Sequence, residues 1–191
     1  MGIFTSNSIH SDEGTKIVHE AIKKAIVSIQ KKYELQLAGI AEMGDKDNDD
    51  KYLNIGLCLV SKKQFSRNEG RKIVLDVSNI LLENLNQEEV KPYLTVYPFT
   101  LKNIYIGITF SMAEKDRDYS QMRSCGIVFP GKLDYEWYNP SDRIGPGLRE
   151  YETYEEALRL YKENPVETTP ITVPPESERP KKRNWWSSIF G

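Results

Sequence analysis

Histidine and cysteine are scarce in this chain, two of each in 191 residues. That leaves little material for a metal centre or a nucleophilic site. His19-Glu20 opens like the helix of a zinc protease, but the residue one turn on is Lys23, so the second ligand is missing. His10 stands in a polar N-terminal stretch and reads as a solvated histidine. Cys58 and Cys125 are far apart in sequence, unlike the closely spaced, even sets that staple small secreted domains, and they read as reduced thiols. No metal and no cofactor are expected.

Long apolar runs are missing too. No stretch approaches the ~18 consecutive apolar residues of a membrane-spanning helix. The start, MGIFTSNSIHSDEG, has neither a basic region nor an apolar core of the secretory type. These absences predict a soluble, cytoplasmic chain. Charge of one sign is also lacking: 26 Lys and Arg stand against 28 Asp and Glu, for a net charge of −2. Nucleic acid wants a basic face, so no nucleic-acid partner is expected.

Motifs that carry chemistry are incomplete. GPGLRE at 145–150 does not join a strand to a helix start, as a phosphate loop must. No GxSxG elbow occurs. Asp45, Asp47 and Asp49 match the opening ligands of a calcium loop. Asp50, however, takes the place of the required Gly, and Gly56 that of the closing bidentate carboxylate. The segment reads as a solvated turn. No catalytic residue is nominated, and an enzyme with an unrecognised site ranks behind a non-enzymatic role.

What is present is clear periodicity. Ile17, Val18, Ala21, Ile22, Ala25, Ile26 and Ile29 recur at spacings of three and four, which predicts a helix over about 15–33. In 34–43, Leu35, Leu37, Gly39 and Ala41 alternate with Gln36, Ala38, Ile40 and Glu42 as in a strand. After the polar run 44–51, Leu53, Ile55, Leu57 and Leu59 alternate again, so the two segments predict a hairpin. Ser66 and Glu69 form a capping box ahead of Ile73, Val74, Val77, Ile80, Leu81 and Leu85. Strands are expected at 104–110, around Cys125–Phe129, and over KLDYEWY after the Pro130-Gly131 turn. Thr153 and Glu156 cap a short last helix ending before Pro165.

The order is α-β-β-α-β-β-β-α. It predicts an α+β, two-layer sandwich with a largely antiparallel sheet. The expected organisation is a flexible N-terminus over 1–14, one domain over 15–163, a proline-rich linker over 164–180 and a basic-aromatic tail over 181–191. The linker holds Pro165, Pro170, Pro174, Pro175 and Pro180, half of the chain's ten prolines. That composition predicts an extended, disordered tail, whose linker spans roughly 50 Å at about 3.1 Å per residue.

The tail carries the candidate binding residues: Lys181, Lys182 and Arg183, then Trp185, Trp186, Ile189 and Phe190. Aromatic and aliphatic side chains at the end of a polar spacer gain only by finding a surface. A protein groove is the first expectation, which makes the chain an interaction module with a tethered recognition peptide. An anionic membrane surface is the alternative, since Lys and Arg are drawn to acidic lipid and Trp to the interface. Gly2 with Ser6 fits the N-myristoylation pattern, which would assist that second reading. The sequence leaves a small-molecule ligand unknown.

Overall fold

The computed structural model describes residues 12–46, 48–111, 121–138 and 147–163. The N-terminal stretch with Gly2, and the whole linker and tail with Lys181, Lys182, Arg183, Trp185, Trp186, Ile189 and Phe190, lie outside the described residues.

Helix α1 spans Asp12–Tyr33. Its stripe of Val18, Ala21, Ile22, Ala25 and Ile29 is buried, as the spacing predicts. Strands β1 (Gln36–Asp45) and β2 (Asn48–Ser61) form the expected hairpin. The connection is shorter than the polar run suggests, because β2 already begins at Asn48. Helix α2 covers Arg67–Leu85, and its capping box is complete. Ser66 Oγ accepts from Glu69 N at 3.3 Å, while Ser66 N donates to Glu69 Oε2 at 2.8 Å. Ile73, Val74, Val77, Leu81 and Leu85 are buried, whereas Ile80 is only half-buried at the margin of the stripe.

Strands β3 (Ile104–Phe110), β4 (Met122–Val128), β5 (Lys132–Trp137) and β6 (Leu148–Glu152) follow, then helix α3 over Tyr154–Glu163. The expected order holds, with β6 as one further strand between β5 and α3. Thr153 Oγ1 accepts from Glu156 N at 3.1 Å and starts that last helix. At the β4–β5 turn Gly131 has φ +84°, a backbone state that favours glycine.

The six strands lie in sequence order, β1 to β6. All neighbours are antiparallel except β2 and β3, which run parallel and are joined by the α2 crossover. Register places Ile55, Leu57 and Leu59 beside Ile104, Ile106 and Ile108, and Ile106 beside Ile127. These side chains are fully buried beneath the helices and make the core. The opposite face alternates in register and, among the described residues, carries no helix: Cys58, Tyr105, Gly107, Ser124 and Asp134 lie on it. The result is a two-layer α+β sandwich. Its two thiols are free and lie on opposite faces of the sheet.

Candidate functional site

The two ends of the sheet differ in kind. At one end, a buried polar clamp fixes β6 to the helices. Glu152 is 3% exposed and Arg71 5%. Arg71 donates to both Glu152 oxygens, at 2.5 and 2.9 Å, and Tyr135 Oη donates to Oε2 at 2.9 Å. Arg67 adds a bond of 3.1 Å and also pairs with Glu150 at 2.7 Å. Burial alone would push the Glu152 carboxyl up. The bonds from Arg71 and Tyr135 outweigh it and hold that carboxyl below the ordinary range. Every strong acceptor position is used, so the cluster reads as a strut rather than a reactive site.

A second network, Tyr33 Oη and Lys32 Nζ donating to Asp76, ties the end of α1 to α2. On the helix-free face, Asp134 is 8% exposed, and one of its oxygens has no hydrogen-bond partner among the described residues. Burial pushes its carboxyl up, with Arg149 at 3.7 Å working in the other direction. Arg149 and Arg123 also approach Glu136 at 3.9 Å, and Ser124 Oγ donates to Glu136 at 3.0 Å. Charge on this face is therefore matched locally. Among the described residues no group of His, Cys, Asp and Glu could hold a metal ion.

The other end of the sheet is open. β1 is a terminal strand of ten residues, and none of them is buried. Its sequence, QLAGIAEMGD, contains no Lys, Arg or Pro. Its apolar side chains are out in solvent: Leu37 is 36%, Ile40 41% and Met43 52% exposed. Sequence alternation put Leu37, Gly39 and Ala41 on one face. A bulge between Leu37 and Gly39 shifts the phase, so Leu37 pairs with Leu59 and Ile40 with Leu57, on the helix side. The Leu37 and Ile40 side chains are nevertheless exposed. His19 of α1 reaches β1, donating from Nε2 to Glu42 Oε1 at 2.7 Å.

An antiparallel strand turns its N–H and C=O groups alternately to either side. Among the described residues no strand pairs with the outer side of β1, so half of its backbone groups form a free template. Around the first residue of β1 lies an open groove of about 530 Å³ lined by Tyr33, Glu34, Leu35, Gln36, Lys62 and Lys63. The last residues of β1 bring Glu42 and Asp45. The edge is thus apolar in the middle, flanked by two lysines and Glu34 at its start, and acidic at its end.

The tail residues singled out in the sequence cannot be placed against this edge, because they lie outside the described residues. Leu37, Ile40 and Met43 were not singled out at all. The available signal was the absence of Lys, Arg and Pro from a ten-residue strand. No described helix is long and apolar enough to cross a membrane. No family model matches the chain, and neither a curated protein nor a solved structure does.

Proposed function

We propose that this chain is a non-enzymatic protein-interaction module that captures an extended peptide by strand addition at β1. The tethered tail supplies the second element of the module, a recognition peptide of its own. The observation that carries this reading is the long, unpaired apolar edge. Folded proteins blunt terminal strands with Lys, Pro, bulged twists or short length. β1 is bulged between Leu37 and Gly39, but it has ten residues, no Lys and no Pro, and three exposed apolar side chains. Main-chain hydrogen bonds along such an edge give affinity, and alternate side-chain positions give specificity.

The test uses a displayed library of extended ten-residue peptides panned against the full chain. The expected binders contain alternating apolar residues, and Ala38→Lys with Ile40→Lys weakens them at least tenfold. Binders unaffected by that pair of lysines, or a library that yields none, would refute the assignment of β1 as the docking edge.

A further inference from the structure

We propose that residues 181–190 of the same chain are a ligand of this edge, adding to the sheet as a seventh strand antiparallel to β1. The inference rests on the reading of β1 as a docking edge and names its occupant. Four observations support it.

The first is charge. The segment begins with Lys181, Lys182 and Arg183 and continues with Asn184-Trp185-Trp186-Ser187-Ser188-Ile189-Phe190. β1 begins beside Lys62 and Lys63, with Glu34 in the same groove, and ends with Glu42, which accepts from His19, and Asp45, which accepts from Thr95. Antiparallel addition sets the basic end of the segment against the acidic end of β1. Parallel addition would set it against the two lysines, and like charges brought together on an edge are destabilising. The charge pattern therefore favours this occupant and this direction.

The second is length. A segment running from Lys181 to Phe190 matches the ten-residue β1. In the antiparallel sense Ile189 and Phe190 arrive at the groove lined by Tyr33 and Leu35, where an apolar side chain can be covered. The third is space. A side chain added at Gly39 would meet nothing within 4 Å, and Ala38 and Ala41 beside it are small. The middle of the edge can therefore admit the two indoles of Trp185 and Trp186.

The fourth is reach. α3 starts at the β6 end of the sheet, and Tyr161 in its last turn acts electrostatically on Tyr33, so the linker leaves the domain on the helix side between the two edges. Six strands at about 4.8 Å put the two edges roughly 24 Å apart. The 164–180 linker covers roughly 50 Å when extended, which is enough to cross. Tethering also raises the local concentration of the segment to about the millimolar range, so even a weak strand contact is populated in the same molecule. A protein partner then competes for β1 or for the tail, and each exposes the other when it binds.

Backbone amide exchange of the full chain tests this. Within residues 36–45, amides should exchange at least tenfold faster in Trp185→Ala/Trp186→Ala than in the parent, with α2 unchanged. The same loss is expected for Lys181→Glu/Lys182→Glu/Arg183→Glu. It should be restored when that triple variant is combined with Glu42→Lys and Asp45→Lys. Protection should not change on tenfold dilution. Equal exchange over 36–45 in the parent and the double-Ala chain would overturn the proposal. So would protection that fades on dilution with loss of a dimer mass, because the occupant would then be a second copy. The docking edge is judged separately: displayed peptides should bind the double-Ala chain at least as tightly as the parent, whichever way the exchange result falls.

Discussion

The two terminal strands of one sheet are built by opposite rules. β6 has five residues, three of them charged, and each charge is engaged. Glu152 is clamped beneath the helix layer by Arg71, Glu150 by Arg67, and Arg149 lies against Asp134 and Glu136. β1 is twice as long, with two charged residues in ten, and its half-buried Glu42 pairs with His19 of α1. A charged, short edge resists a neighbouring strand, and a long apolar one invites it. The pairing of one guarded edge with one open edge means that the sheet can grow in a single direction.

The comparison breaks most visibly at β6. Arg71→Ala removes two bonds from the buried Glu152 and leaves those of Arg67 and Tyr135, and the expected cost is about 2–3 kcal/mol in urea unfolding. A cost under ~1 kcal/mol would mean that the clamp does not hold the guarded edge. The acid limb of stability follows from the same group. The folded Glu152 carboxyl lies below its ordinary value of 4.5, so its contribution is complete above that pH and is lost as pH falls through the lower folded value. In Glu152→Gln this part of the acid destabilisation should vanish, read from melting temperatures between pH 7 and about pH 2. An unchanged acid limb would show that other carboxylates set it.

At the open edge the effects on stability are small. His19→Ala removes a contact whose partners are 47% and 21% exposed, and it should cost no more than about 1 kcal/mol. Ile40→Lys should be smaller still, within about 0.5 kcal/mol, because the side chain is 41% exposed. Its effect belongs to binding instead. A large loss of stability in Ile40→Lys would mean that β1 is packed and not available.

Much of this contrast was hidden in the sequence, and the reasons are physical. α1 and α2 were legible because burial repeats at three and four residues and because Ser66 and Glu69 are local neighbours. Leu148–Glu152 showed no strand signal: four of its five side chains are exposed, so no apolar alternation marks it. The face of β1 was misread because one bulge reverses the phase after Leu37. Arg71 and Glu152 meet only through the fold, since they are distant along the chain and nothing near either one announces the other. The open edge depended on strand order. A run free of Lys and Pro is ordinary in a central strand and becomes informative only once β1 is terminal.

The most direct test of the docking edge is backbone amide chemical-shift mapping of the full chain titrated with a displayed-library peptide. The account predicts that the largest perturbations fall within residues 36–45 and at the groove residues Lys62 and Lys63, with 148–152 unmoved. Perturbations centred on 148–152, or on the helix-free face around Tyr105 and Asp134, would contradict it.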